Sequence, residues 1–296
     1  MSGHARPSAR PPRAGLEAPP AKPATPGRNT GGPRPPGRHY LRRRAFAAQL
    51  VHDAGITPGE LVLDLGAGGG ILTRALAAAG ARVLAVELDP AAADALRRRF
   101  AGDPRVDVRE ADATRIPLPR EPFSVVANLP FAAGTAILRR LLGDPRVPLD
   151  RLDAIVEWGL AAKRTAVWPS TLLGCAWGAW HELTVARRVP RACFAPPPSA
   201  DAAVLRAVRR ADPLVPPAEA EQYLALLRRC FEARAPLDRV LPRTAVRSLA
   251  HELGFDPRAE ARDLDVRQWA ALYAAVRPAT RRRAGSAPRR RPSSRR

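Results

Sequence analysis

The stretch Leu61-Val62-Leu63-Asp64-Leu65-Gly66-Ala67-Gly68-Gly69-Gly70 decides the fold. Its apolar first half predicts a buried strand over 61–65. The glycines that follow predict a turn in which the backbone takes positive φ and leaves room for a ligand. A helix is predicted to begin at Ile71. A strand, a glycine turn and a helix in this order bind a nucleotide-like molecule at the carboxyl edge of an open α/β sheet, so the sequence predicts an α/β fold with such a site.

The spacing of the glycines indicates which class of nucleotide-like ligand the turn binds. A dinucleotide fingerprint needs a third glycine where this chain has Ile71, and no hydride-transfer site is evident, which disfavours a nicotinamide oxidoreductase. The residues Asp64, Gly66, Gly68 and Gly70 resemble the first motif of S-adenosylmethionine-dependent methyltransferases. The alternative is a glycine-rich turn that holds no ligand.

The positive charge of the chain is concentrated at its ends. The formal net charge is +21, of which residues 1–44 contribute +9 and residues 281–296 contribute +8. We expect disordered basic tails over 1–37 and 280–296, because these segments have too few large apolar residues to offset chain entropy. Such tails suit contacts with the phosphates of a polyanion, although a solvated tail with no specific role is an equal alternative.

Several classes of protein are excluded by what the sequence lacks. No secretory signal follows Met1, and no apolar run is long enough to cross a membrane. The three cysteines, Cys175, Cys193 and Cys230, do not have the spacing of metal ligands. We therefore expect a cytoplasmic protein with reduced thiols, no metal site and no membrane contact.

Two acidic residues follow predicted strands at the same edge of the sheet. Glu87 comes after the strand over 83–86, where a carboxylate can accept hydrogen bonds from both hydroxyls of a ribose. Asp112 comes after the strand over 106–108 and is a candidate acceptor for an adenine amine, or alternatively a turn cap before Thr114. Asp89 is predicted to cap the helix that begins at Pro90.

The tetrapeptide Asn128-Leu129-Pro130-Phe131 follows the fourth predicted strand and carries the predicted chemistry. The lone pair of an adenine amine is delocalised into the ring, and two acceptors at its hydrogens localise it. The side-chain oxygen of Asn128 and the carbonyl of Leu129 can supply them. Pro130 stiffens the turn, and Phe131 offers a face for stacking of a flipped base. The alternative is a β-turn with a buried phenylalanine.

Later segments suggest contacts with RNA. Lys163, Arg164 and Trp168 interleave basic and aromatic side chains, whereas we assign Trp177 and Trp180 to the core. Phe194 precedes a proline-rich loop and is predicted to reach the second face of the base, unless the loop is only a stiff hairpin connection. From Pro213 onward the pattern predicts three helices, over 219–231, 242–253 and 266–276, with basic faces.

With these residues in hand, the chain resembles the ribosomal RNA adenine dimethylase family over about residues 37–277. The resemblance includes the Phe-x-Pro-x-Pro-x-x-Asp loop and the closing helices; the matching residues are Phe194, Pro196, Pro198, Asp201, Leu264, Trp269 and Leu272. It is most similar to the Erm branch, because Phe131 stands where the small-subunit branch usually has Tyr and because 158–180 is rich in Trp. That branch methylates an adenine of 23S rRNA and confers macrolide–lincosamide–streptogramin B resistance.

The resemblance implies a fold, a cofactor and a set of contacts. We expect a Rossmann-like S-adenosylmethionine-dependent methyltransferase domain over 38–210 and a small all-helical RNA-binding domain over 211–279. Cofactor contacts are implied at Gly66, Glu87, Asp112 and Asn128. The family usually has Gln-Asn-Phe-Leu before the first helix, where this chain has Arg38-His39-Tyr40-Leu41, so that His39 and Leu41 should lie over the methionine end.

Three functions remain open from the sequence. The first is a monomeric N6-methyltransferase that acts on 23S rRNA in its protein-free or nascent form. The second is a 16S rRNA adenine dimethyltransferase of small-subunit maturation. The third, of a different class, is a non-catalytic RNA-binding or ribosome-assembly factor, which only the departure at His39 supports.

Overall fold

The computed structural model of the protein describes residues 39–277. The predicted tails, 1–37 and 280–296, lie outside the described residues.

A mixed seven-stranded sheet forms the centre of the fold, in the order β4-β3-β2-β5-β6-β9-β7. The strands from β4 to β6 are parallel to one another, whereas β9 is antiparallel to both β6 and β7. A separate two-stranded ladder pairs β1 with β8. The strands are β1 (Tyr40–Leu41), β2 (Leu61–Leu65), β3 (Arg82–Glu87), β4 (Val106–Glu110), β5 (Phe123–Asn128), β6 (Leu149–Glu157), β7 (His181–Val189), β8 (Phe194–Ala195) and β9 (Ala202–Arg209).

The strand predicted over 61–65 is confirmed as β2, at the centre of the parallel part of the sheet. The chain passes from β2 outward to β3 and β4, then crosses back to β5 on the other side of β2. At such a switch point the connections leave in opposite directions and open a crevice at the carboxyl ends of the strands. The crevice therefore lies between the ends of β2 and β5, where the glycine turn and Asn128 are.

Helices flank the sheet and form the carboxyl-terminal part. They are α1 (Arg44–Asp53), α2 (Ile71–Ala78), α3 (Pro90–Arg99), α4 (Gly134–Leu142), α5 (Trp158–Thr165), α6 (Leu172–Gly178), α7 (Ala220–Ala233), α8 (Leu237–Val240), α9 (Arg243–Leu253) and α10 (Val266–Val276). The predicted start of a helix at Ile71 is confirmed. So is the cap of α3, because an Asp89 side-chain oxygen accepts a hydrogen bond from the Ala92 N–H at 2.9 Å.

The carboxyl-terminal helices share a core with the sheet. Tyr223 of α7 and Trp269 of α10 are buried in the same cluster as Leu63 of β2 and Trp177 of α6. The three predicted helices appear as α7, α9 and α10, with the short α8 in addition, and the described residues beyond Arg209 contain no strand. The domain boundary at residue 210 stays a prediction.

The predicted core positions of Trp177 and Trp180 are confirmed, since each is 1% exposed. Trp180 also links the two parts of the chain, because its indole N–H donates to the Val215 carbonyl at 2.8 Å. Cys175, Cys193 and Cys230 are buried free thiols, as expected.

None of the helices within 39–277 has the length and apolar character needed to cross a bilayer.

Candidate active site

A cavity of about 170 Å³ opens at the carboxyl ends of the central strands. It gathers most of the side chains that the sequence singled out, although they are distant along the chain. The predicted residues that line it are His39, Gly66, Glu87, Asp112 and residues 128–131.

The glycine turn brings the backbone close to its neighbours. Gly66 and Gly68 have φ of 78° and 52°, and the Gly66 N–H donates to the Val86 carbonyl at 2.8 Å. A Cβ added at Gly66 would lie 3.2 Å from Cδ of Pro130, and one added at Gly68 would lie 2.8 Å from the Tyr40 ring. Glycine at these positions therefore allows both the left-handed backbone and the close approach of Tyr40 and Pro130.

Glu87 ties the glycine turn to the end of β3. Its carboxylate is 6% exposed and accepts hydrogen bonds from the N–H groups of Gly68, at 2.8 Å, and Asp89, at 2.9 Å. Each carboxylate oxygen can accept more than one hydrogen bond, so these contacts are compatible with an acceptor role toward a ribose.

Asp112 both caps a turn and lines the cavity. One of its oxygens accepts from the Thr114 N–H at 2.8 Å and from the Thr114 hydroxyl at 2.7 Å. These hydrogen bonds lower the pKa of the Asp112 carboxyl and keep it ionised. The two alternatives drawn from the sequence are thus compatible, because the turn cap fixes an anionic acceptor at the cavity wall.

The side-chain amide of Asn128 forms a hydrogen bond through its nitrogen and none through its oxygen. Its Nδ2 donates to the His39 carbonyl at 2.8 Å, while its Oδ1 is buried without a hydrogen-bond partner. Since a carbonyl needs a donor, the nitrogen must face His39, which leaves the oxygen as an acceptor. An unpaired buried oxygen costs about 1–3 kcal/mol, so its persistence points to a ligand.

The rest of the turn is held by β6 and by the ring of His39. The Leu129 N–H donates to the Ile155 carbonyl at 3.1 Å, and the Leu129 side chain is buried. Phe131 is half-buried, with its ring centroid 5.5 Å from that of His39. His39 Nδ1 in turn lies 3.0 Å from the Pro196 carbonyl. His39 therefore contacts both the turn and the proline-rich loop.

Leu41 lies beside the main cavity and not on it. It lines a small adjoining cleft together with Tyr40, Asp64 and Gly66, and its side chain is 8% exposed. The β1–β8 ladder places it opposite Phe194.

The prediction that Phe194 stacks on the base is wrong. Its side chain is 0% exposed and belongs to the core cluster that contains Leu41 and Leu50. Pairing of β8 with β1 turns the ring inward, so no face is available to a base. The prediction was based on the proline-rich sequence after Phe194, which gives no information about pairing with Leu41, 153 residues earlier in the chain.

Lys163 and Arg164 lie on α5 and do not line the cavity. Lys163 is exposed, whereas Arg164 is half-buried with its guanidinium carbon 5.7 Å from the Trp177 ring centroid. Burial lowers the pKa of Arg164 from its usual range. Their contact with RNA stays a prediction.

Sequence reasoning missed two residues of the site, Tyr40 and Leu88, and the buried environment of Asp64, which it had named only as part of the glycine motif. Tyr40 packs over Gly68, and Leu88 lines the cavity although its side chain is 60% exposed. Asp64 is buried and accepts a hydrogen bond from the Thr73 hydroxyl at 2.7 Å; burial raises the pKa of its carboxyl to about 7. Two sequence signals could have indicated these features: Asp64 is an acid inside an apolar strand, and Leu88 is a large apolar residue next to Glu87.

Among residues 39–277, no cluster of His, Cys, Asp and Glu side chains has the arrangement of a metal site.

The fold and the cavity define the class of the protein. A switch-point cavity with a glycine turn, two carboxylates and an Asn-Leu-Pro-Phe turn is that of a Rossmann-like methyltransferase. The crystal structure of the 23S rRNA methyltransferase ErmE is similar, with a TM-score of 0.71 and 29% identity, covering 80% of this chain and 99% of that one.

The family follows from the sequence comparison. The family model described as ribosomal RNA adenine dimethylase matches residues 35–277, and the chain belongs to this family. The resemblance stated from the motifs is thereby confirmed.

Relatives from two branches of the family are similar to this chain. The mycinamicin-resistance protein MyrB of Micromonospora griseorubida is 35% identical over 265 residues, which cover 87% of this chain and 84% of that protein. The ribosomal RNA small subunit methyltransferase A of a Synechococcus strain is 32% identical over 255 residues, which cover 80% and 90%.

Proposed function

We propose that this enzyme transfers a methyl group from S-adenosylmethionine to the N6 amine of one adenine in 23S rRNA, and thereby confers macrolide–lincosamide–streptogramin B resistance. The observation that carries the proposal is the buried Asn128 Oδ1, held without a partner at the cavity. The similarity to MyrB and to ErmE supports the 23S target and the resistance.

The residues of the cavity fit the cofactor. Gly66 of the left-handed glycine turn lines the cavity, and Glu87 and Asp112, which line it too, are acceptors for a ribose and an adenine amine. Leu41 lines the adjoining cleft, where the methionine part would extend, and His39 lines the main cavity beside it. When bound, S-adenosylmethionine supplies an electrophilic methyl group on a positively charged sulfur.

The turn over 128–131 orients the target amine. Asn128 Oδ1 and the Leu129 carbonyl accept the two amine hydrogens, which favours a pyramidal nitrogen with a localised lone pair. Phe131 stacks on the base, and Pro130, packed against Gly66, keeps the turn at a fixed distance from the glycine loop. The rate then comes mainly from positioning, because a sulfonium is already a good leaving group.

We propose further that the enzyme acts as a monomer in the cytoplasm on protein-free or nascent large-subunit RNA. The basic residues of α5 and of the helices α7–α10 would contact phosphates of the RNA.

The second candidate is methylation of 16S rRNA. The 32% identity to a small-subunit methyltransferase over 80% of this chain favours it. The two candidates share the chemistry and differ in the nucleotide that is modified.

The deciding experiment is a transfer assay with labelled S-adenosylmethionine on protein-free 23S and 16S rRNA, followed by primer extension to locate the modified adenine. We expect label in one adenine of 23S rRNA, close to the peptidyl transferase centre. Label only in 16S rRNA would establish the second candidate. No label in either RNA, with no cofactor binding by calorimetry, would identify a non-catalytic RNA-binding protein.

A further inference from the structure

Two adjacent apolar side chains that do not line the cavity are exposed. Val167 and Trp168 follow α5 and are 51% and 60% exposed. Within the described part of the chain, the other large apolar side chain that is exposed is Leu88, which the cavity accounts for. The pair at 167–168 has no such explanation.

The ring of Trp168 is held in place although it is exposed. Its indole N–H donates to the Asp263 carbonyl at 3.0 Å. The same loop is tied again by Ser170, whose N–H donates to the Arg262 carbonyl at 2.8 Å. A ring fixed at its polar edge loses little further conformational entropy when a flat partner binds to its face.

Cations lie on α4, which lines the cavity, and on α5, which leads to Trp168. The first turn of α4 lines the cavity through Ile137, and the next turn carries the exposed Arg139. Burial lowers the pKa of Arg164, and the nearby positive charge of Arg139 lowers it further; within residues 39–277 no acidic side chain opposes this shift. Lys163 is exposed beside it. The eight residues of α5 span about 12 Å and end just before Val167.

Arg164 has a neutral partner but no acidic one among the described residues, since its Nη1 lies 3.5 Å from the Thr171 hydroxyl. Its Nε is buried without a hydrogen-bond partner, and no carboxylate among residues 39–277 forms an ion pair with its half-buried guanidinium. A cation in this setting is stabilised by an anion that the protein does not itself supply. Phosphate groups of an RNA strand provide such anions at regular intervals.

We propose that Trp168, with Val167 beside it, is a stacking platform for an unpaired base of the RNA strand that leaves the cavity over Arg139, Lys163 and Arg164. This inference rests on the proposed function, which makes RNA the substrate. An aromatic face next to cations is how proteins hold single-stranded nucleic acid without reading its sequence. The occupant is therefore RNA and not a protein surface, which would not need the three cations.

Tryptophan fluorescence gives a direct test, because Trp168 is the most exposed tryptophan. Trp177, Trp180 and Trp269 are buried, and Trp158 lies under the guanidinium of Arg188. A single-stranded RNA oligonucleotide should quench the emission of the wild-type protein, and a fully paired duplex of equal length should quench it much less at the same ionic strength. The Trp168→Phe variant should lose the quenching.

Affinity gives the second readout. Trp168→Ala should weaken binding of the single-stranded RNA and raise KM for rRNA by about ten-fold, with kcat and cofactor affinity unchanged. Trp168→Phe, which keeps an aromatic face, should retain most of the affinity. Arg82→Ala is the matched control, since Arg82 lies at the opposite end of β3 from the cavity and pairs with Glu121.

The outcomes separate this inference from the proposed function. If the wild-type enzyme methylates rRNA while Trp168→Ala leaves KM, affinity and quenching unchanged, the platform is wrong and the function stands. If no RNA is methylated but single-stranded RNA still quenches Trp168 selectively, the platform stands and the function is wrong. A change confined to the sedimentation of the protein would identify Trp168 as a protein contact and overturn the inference.

Discussion

Asn128 shows how one backbone group can orient a reactive side chain. Because the His39 carbonyl holds Nδ2, the oxygen of the amide has a single orientation. The contact comes from the backbone of residue 39, so it does not depend on which side chain stands there. The change from the family's usual Asn to His39 therefore leaves this part of the site intact.

Asn128→Ala should lower the rate of methyl transfer by at least about 100-fold, because one of the two acceptors for the amine is lost. Affinity for rRNA should stay within about two-fold of wild type, since the phosphate contacts remain. Single-turnover assays and filter binding measure the two quantities. Gln49→Ala, which removes an exposed amide on α1, serves as the control. Normal turnover in the Asn128 variant would exclude the role given to this residue.

Asp64 should make the stability of the protein depend on pH. Burial raises the pKa of its carboxyl from 3.8 to about 7, with the nearby charge of Glu87 adding to the shift. Between these values the native state holds a proton that the unfolded chain has released. The free energy of unfolding should therefore fall as pH rises from about 4 to 7, by on the order of 4 kcal/mol from this group, and level off above that.

Urea denaturation of the wild type and of Asp64→Asn at several pH values measures this contribution. The variant cannot ionise, so the difference in unfolding free energy between the two proteins should change across pH 4–7 and be constant above pH 8. A difference that is constant over the whole range would mean that Asp64 is ionised in the native protein throughout.

At the scale of elements, the glycine turn between β2 and α2 offers two adjacent glycines in different settings. Gly68 has φ of 52° and an added Cβ would meet the Tyr40 ring at 2.8 Å, whereas a Cβ at Gly69 would meet nothing within 4 Å. Gly68→Ala should thus destabilise the turn by about 1–3 kcal/mol and weaken cofactor binding. Gly69→Ala, the matched control, should bind the cofactor normally in calorimetry. Equal affinities for the two variants would contradict the geometry of this turn.

The elements that the sequence predicted are those that local pattern determines. The run 61–65 was predictable as a central strand because four of its five residues are large and apolar, and the glycines after it predicted the switch-point site. The β1–β8 ladder is different, because it joins two-residue segments that are far apart in the chain and have no periodicity of their own. The stacking role of Phe194 was wrongly predicted for that reason. The contact between the rings of His39 and Phe131 could not be predicted from the sequence either.

At the scale of the whole molecule, the sheet and the carboxyl-terminal helices depend on one another. Trp269 of α10 is 0% exposed, stacks on Phe231 at 5.8 Å between centroids, and donates to the Ala261 carbonyl at 3.1 Å. Its cluster extends without interruption to the central strands. The two parts should therefore unfold together.

Buried thiols report on both parts in one experiment. Cys193 lies in the core cluster of β1 and α1, and Cys230 lies in the cluster of α7 and α10. Both should become reactive to a thiol reagent at the same urea concentration. Trp269→Ala should lower the free energy of unfolding by about 3–5 kcal/mol, so that both thiols react at a lower urea concentration. Trp168→Ala, at an exposed site, should leave that concentration nearly unchanged. Separate transitions for the two thiols would show independent domains.

The shared core also indicates whether the enzyme or the RNA changes conformation when the two bind. Helices that are packed onto the sheet through Trp180, Tyr223 and Trp269 should not close over a nucleic acid as a separate body. The adjustment then falls to the RNA, which must unstack the target adenine and bend toward a surface that is already formed. Selection among adenines would in that case follow from how easily each stretch of RNA deforms, and a tightly folded ribosomal particle would resist modification even where its sequence matches.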